Sequence, residues 1–192
     1  PESKPRRRTV DSGRFFEVER IISSREGQQE REYLVKWKNF SSFDASWEPK
    51  QHLNQLCLKY YEHPKPERNV ILNEVSRLRV AIGTSLKAST QRKQVTVEFR
   101  EDVFKHLFGK KGVQNGRWKV LAQEEFSPSF FPPNWHCLLD LHGQGTKVLF
   151  PIKIRHFLSW STQNYHLREG IVTKSTRAFL EKLTVDFIKV AA

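Results

Sequence analysis

Methionine is absent from the 192 residues, and cysteine occurs only at Cys57 and Cys137. Two thiols in different parts of the chain exclude a disulfide framework; they read as buried thiols of an intracellular protein. No apolar run approaches the ~20 residues that a membrane-spanning helix needs. The start, Pro1 to Arg8, is polar and basic with no apolar stretch behind it, unlike a secretory signal. A first residue other than methionine is expected of an excised or processed chain. There is no glycine-rich phosphate loop and no nucleophile elbow. Seven histidines give no metal pattern. The nearest cluster, His136-Cys137 with His142 and His156, matches no common zinc spacing. No catalytic residue, metal or cofactor is expected, and the chain is not expected to be an enzyme.

Acid is also in short supply, with 21 Asp and Glu against 33 Lys and Arg, a net charge of +12. Residues 14–65 are nearly balanced, nine basic against eight acidic, whereas residues 91–192 carry sixteen against nine. A basic balance fits either a polyanionic partner such as DNA or RNA, or a solvated basic face. What the chain has in quantity is aromatic residues, 14 Phe and 5 Trp among 38% hydrophobic residues. That is enough for real cores in one or two domains.

The pattern predicts an α+β chain in four parts. Residues 1–13 form a basic disordered arm, in which Arg6, Arg7 and Arg8 can touch phosphates or serve in nuclear import. Residues 14–65 form a small three-stranded antiparallel sheet closed by a helix. The strands fall at 14–22, 33–38 and 46–48, and the helix at 53–63, with Leu53, Leu56, Cys57 and Tyr60 on its apolar face. Residues 66–93 form a linking helix and a linker. The helix seam, Ile71, Val75, Leu78 and Ile82, ends at Gly83 and either packs within the chain or pairs two chains. Residues 94–192 form a second, mixed α+β domain, basic and of unknown type. There the strands are 94–99, 118–121, 135–141 and 147–154, with a helix over 101–108, an aromatic loop over 124–134, and an ambiguous stretch over 155–161. A final helix follows Ser175 as N-cap, carrying Phe179, Leu180, Leu183, Phe187 and Val190. The acid pairs Glu101-Asp102 and Glu124-Glu125 read as solvated turns.

The most informative stretch is Tyr33-Leu34-Val35-Lys36-Trp37-Lys38-Asn39-Phe40, followed by Trp47-Glu48-Pro49. Tyr33, Val35 and Trp37 face one way, Leu34 and Lys36 the other, as a half-buried strand requires. Phe40 follows a turn at Asn39. With Phe16 upstream, three rings can either join the core or wall a pocket. Three aromatic faces suit a cation stripped of hydrogen-bonding protons, such as methylated lysine.

The run from Phe16-Glu17-Val18-Glu19-Arg20-Ile21, through Tyr33 to Phe40, to Ser46-Trp47-Glu48-Pro49 and a helix resembles the chromodomain of heterochromatin protein one and Polycomb. The resemblance spans residues 15–63. It implies that Phe16, Trp37 and Phe40 are the methyl-lysine cage. It implies that an extended histone tail, with core histone three expected, adds as a strand between Glu17, Val18 and Glu19 on one side and the segment with His52 and Asn54 on the other. Asn39 stands where glycine is usual, His52 where an asparagine is common, and Lys50 where an acid is frequent. Arg14 is basic where many members are acidic. The resemblance implies a nuclear chromatin reader. The alternative is a nucleic-acid-binding or assembly module whose chromodomain does not read methylation. In the second domain Lys110, Lys111, Arg117 and Lys119 surround Trp118, a pattern that can grip phosphates and stack a base. Partners thus comprise the methylated tail, DNA or RNA, and a second copy or larger chromatin complex; a membrane is not among them.

Overall fold

The computed structural model describes residues 16–192, so the arm with Arg6, Arg7 and Arg8 lies outside the described residues. Three antiparallel strands come first, β1 (Val18–Glu26), β2 (Arg31–Trp37) and β3 (Ser46–Pro49), in that spatial order. β1 runs further than its apolar residues suggest, because the polar stretch after Ile22 still pairs with β2 up to Glu26–Arg31. Gly27 makes the turn: its amide donates to the Glu30 carbonyl at 2.9 Å, and a Cβ there would strike that same oxygen.

The alternation in β2 holds, but the strand is not half-buried as expected: Leu34, on the opposite face, is also at 0% exposure. Tyr33, Val35 and Trp37 join Ile21, Val18 and Leu53 in one core. Helix α1 (Gln55–Glu62) closes that core with Cys57, Leu58 and Tyr61. The expected apolar face, with Leu56 on it, is rotated. Asn54 caps the helix by accepting from the Cys57 amide at 2.8 Å, so helical turns start after Leu53. Leu56 is left 76% exposed.

α2 (Arg68–Lys87) follows, and here the expected linker is corrected. The helix runs through Gly83 for another turn because Leu86 extends the seam of Ile71, Val75, Leu78 and Ile82, all buried. Burying one more leucine outweighs the ~1 kcal/mol that a helical glycine costs. The seam packs within the chain, against the second sheet's core. Residues 88–91 remain as the connection, and strand β4 (Arg92–Glu98) begins inside the predicted linker.

The second sheet orders β4, β11 (Phe179–Ala191), β8 (Gly145–Trp160), β6 (Trp118–Leu121) and β5 (Val113–Asn115), all antiparallel. β7 (Cys137–Leu139) pairs with β8 beside it, shorter than the predicted 135–141 strand. The hairpin turn at His142-Gly143 is present, its amides bound by Asp140. A separate hairpin, β9 (Tyr165–Arg168) and β10 (Ile171–Lys174), extends from the end of β8. α3 (Glu101–Phe108) forms as predicted and buries Val103, Leu107 and Phe108. Phe126 and Phe131 of the aromatic loop are core residues.

The predicted C-terminal helix is a strand. Leu183, Val185 and Phe187 alternate into the core, and β11 pairs with β4 on one side and β8 on the other. Two flanking ladders satisfy its backbone better than an isolated helix face would. Ser175 caps nothing: its hydroxyl donates to the Asn164 carbonyl. The ambiguous 155–161 stretch is the continuation of β8.

The two sheets meet in a polar seam. The Arg20 guanidinium holds the Glu181 carboxylate through both terminal nitrogens, and each side chain is 11% exposed. Glu181 also accepts from the Glu101 amide at 2.9 Å. Tyr60 donates to Asp102 and Tyr61 to Glu101, while the Lys105 ammonium caps the Tyr61 carbonyl and sits 3.2 Å from its ring centroid. Trp47, opposite Leu34 in the β2–β3 ladder, meets Phe179 edge-on at 6.1 Å. The Glu101-Asp102 pair is therefore no solvated turn but the first turn of α3 inside this seam. In the other pair, Glu125 accepts from the Gly112 and Ala122 amides.

Two outcomes follow. Leu183→Ala, which empties a site with 0% exposure, should cost about 2–5 kcal/mol in urea unfolding; a change near zero would mean that β11 is not a core strand. Burial pushes the Glu101 carboxyl up to about 7, Lys105 offsetting it in part. An acid with a raised folded pKa favours the fold when protonated, so that contribution is full below about pH 4.5 and lost as pH rises through about 7. Relative to Glu101→Gln, the wild type should lose on the order of 2 kcal/mol between pH 4.5 and 8. Parallel unfolding curves at the two pH values check this, and a pH-independent difference rules it out.

Candidate functional site

Three rings converge where β1 begins and β2 ends. The Phe16 ring lies 6.4 Å from Trp37 at 67° and 5.3 Å from Phe40 at 89°, edge to face in both cases. Phe16 is 50% and Phe40 37% exposed, so these two rings are open to solvent rather than packed as core. Trp37 is half-buried, one edge in the small core and its indole N–H donating to Ser46 Oγ at 2.9 Å. Ser46 in turn donates to Glu48 at 2.6 Å. β3 thereby fixes the rotation of the indole.

The turn that presents Phe40 is held twice. The Phe40 amide donates to the Trp37 carbonyl at 3.3 Å. The Lys36 ammonium bridges the Trp37 and Phe40 carbonyls and pairs with Glu19 at 3.0 Å. Asn39 sits at φ 63°, in the left-handed region where asparagine and glycine are the residues tolerated best. The asparagine at the usual glycine position thus keeps the turn. Lys36 and Ser46 as positioning residues escaped the reading of the sequence; an alternation slot opposite the core face says nothing about a lysine that bends back over its own strand end.

The flanking segments are less free than the motif implies. The Glu17 carbonyl accepts from the Lys38 amide, and the Glu17 and Glu19 carboxylates pair with Lys38 and Lys36. Such exposed pairs are worth about 0–1 kcal/mol and part easily. Val18 turns into the small core. On the other side, His52 Nδ1 lies 2.9 Å from Glu48, and the Asn54 carboxamide oxygen is engaged as the α1 cap. Asn54 offers a ligand its amide nitrogen, not that oxygen.

The basic group around Trp118 does not form one patch. Lys119 faces the core side of β6, where its ammonium caps the carbonyls of Phe108, Gly109 and Lys111 at the end of α3. Lys111 caps the Glu125 carbonyl. Lys110 and Arg117 are exposed on separate turns, and Trp118 turns to the opposite face from Lys119, stacked under Arg155. Neighbours in sequence on a strand point to opposite faces.

Among the described residues, no group of three His, Cys, Asp or Glu can hold a metal ion. His156 lies 2.7 Å from the Phe99 carbonyl and stacks on Phe104, and burial holds its pKa down. Cys57 and Cys137 are free thiols, half-buried, and burial raises both. No helix among the described residues is long and apolar enough to cross a membrane.

Comparison with known proteins bears on the part that carries the rings. Residues 16–63 match the family described as Chromo (CHRromatin Organisation MOdifier) domain. Over 143 residues the chain is 29% identical to Chromodomain Y-like protein of Homo sapiens, covering 71% of this chain and 23% of that protein. Chromodomain Y-like protein of Rattus norvegicus is 47% identical over 142 residues, 70% of this chain and 23% of that protein. Chromodomain Y-like protein 2 of Mus musculus is 44% identical over 43 residues, 22% of this chain and 8% of that protein. The chain spans less than a quarter of the length of these relatives. Residues 16–63 therefore belong to the chromodomain family, and residues 64–192 lie outside that match.

Proposed function

We propose that this chain reads a methylated lysine on a histone tail, through Phe16, Trp37 and Phe40. The chromodomain makes it a chromatin-associated reader module. The observation that carries the finer reading is the exposure of rings that already meet. Phe16 is half exposed although two aromatic neighbours lie within packing distance. Rings selected for core packing are buried; rings held open around one point suit a ligand that is apolar outside and cationic within.

A trimethylated ammonium fits that description. It donates no hydrogen bond, so leaving water costs it less than it costs an unmodified lysine. Each aromatic face then contributes about 0.5–2 kcal/mol. The tail is the partner because the site continues past the rings along the outer edge of β1, Glu17 to Glu19, while His52 lies in the helical turn Lys50–His52 and Asn54 caps α1. A strand added there gains backbone bonds, and the acids Glu17 and Glu19, released from Lys38 and Lys36, meet the tail's basic residues. Core histone three is the proposed tail, in the nucleus. The second unit holds the small sheet through the seam and leaves the rings clear.

Calorimetry with trimethylated and unmodified histone-three tail peptides tests this. The methylated peptide should bind about tenfold or more tighter, and Trp37→Ala should abolish that preference while the protein stays folded. Equal affinity for the two peptides, or an unchanged preference in Trp37→Ala, would sink the reading. Asn39→Gly should keep the preference, because glycine also adopts the left-handed turn. Asn39→Val should weaken binding and lower stability by about 1–2 kcal/mol.

A further inference from the structure

The second sheet has one covered face and one open one. α2, α3 and the aromatic loop pack on the side of Leu183, Val185, Ile152 and Ile154. The residues between them point the other way. The cross-strand register Lys182–Phe157, Thr184–Arg155 and Asp186–Lys153 continues to Val120 opposite Lys153, which places Trp118 beside Arg155. Trp118, Val120 and Phe157 belong to neither hydrophobic core among the described residues. All three are half-buried.

The chemistry of this face is specific. The Arg155 guanidinium lies between two rings, 5.4 Å from the Trp118 centroid and 4.8 Å from that of Phe157. Its Nε is buried without a hydrogen-bond partner, and among the described residues Arg155, Lys153 and Lys182 form no ion pair. Of the two acids on the face, Asp186, opposite Lys153, is held by Arg92 at 2.7 Å, and Glu98 stands opposite Lys182 on the outer strand, β4, without an ion pair to it. The centre is thus cationic and aromatic together.

We propose that this open face, built on Trp118, Phe157, Lys153, Arg155 and Lys182, binds single-stranded nucleic acid. Unpaired cations on a flat sheet attract a polyanion. Half-buried rings flanking an arginine offer stacking to bases, and only an unpaired strand presents its base faces. An acidic protein would meet the lysines but would have no use for the rings. A duplex hides its bases from a flat surface. The site is separate from the chromodomain rings and does not depend on their reading.

Fluorescence anisotropy with a labelled 12-nucleotide oligouridine, on the whole chain, tests the proposal. Binding should fall with salt, with a slope of about −0.7 for each phosphate contacted. Trp118→Ala should weaken binding about tenfold or more at nearly the same slope, and Trp118→Phe should restore most of it. Lys153→Ala with Lys182→Ala should make the slope shallower by about 1.4. Trp37→Ala should change nothing here, and methylated-peptide binding should be untouched by the sheet variants. No binding by the wild type would overturn the proposal. So would equal binding of the matched duplex, displacement by polyglutamate as effective as by unlabelled oligouridine, or folded Trp118→Ala and Arg155→Ala variants that bind normally.

Discussion

Glu181 is where the chain's two sheets are fastened to each other. Its carboxylate takes the Arg20 guanidinium from the first sheet and the Glu101 amide from the start of α3. Burying a charge pair costs desolvation that the mutual attraction barely repays, so such a pair adds little net stability. Its removal is another matter. An arginine left buried without its carboxylate costs several kcal/mol, and any orientation of the small sheet that separates the two incurs that cost. The pair selects one docking geometry among many, and the tyrosines of α1, Lys105 and the Trp47–Phe179 contact are arranged around it.

The part of the fold that carries the rings was legible because its information is local and ordered. The alternation of β2 and the turn at Asn39 each act over a few residues, and each appears in the structure where its chemistry places it, while Pro49, expected just past the third strand, is its last paired residue. The second sheet was less legible for a physical reason. β11 is centred between two partners, so its sequence need not show a clean alternation. Phe179, Leu183, Phe187 and Val190 mimic helical spacing, while the decisive inward set is Leu183, Val185 and Phe187. Whether such a segment is helix or strand is decided by β4 and β8, far away in sequence.

Charge was the least legible feature. A lysine in a basic run reads as a solvated or phosphate-seeking group, yet Lys119 and Lys111 spend their ammonium groups on helix-end and loop carbonyls. Lys36 does the same at the turn that presents Phe40. Conversely, Arg155 sits in a strand whose outward side had no visible meaning until its register with Lys182 and Trp118 was known. Only the pairing of strands converts scattered basic residues into a surface.

The seam also bears on what a fragment of this chain would be. A chromodomain cut out at residue 63 loses Glu181, Glu101, Asp102 and Phe179 together. Leu34, at 0% exposure in the whole chain, would stand beside an uncovered Trp47 on a three-stranded sheet. Such a piece keeps Phe16, Trp37 and Phe40 and acquires a sticky second face that the intact chain does not have. Self-association of the excised piece would then be a property of the cut and not of the intact chain.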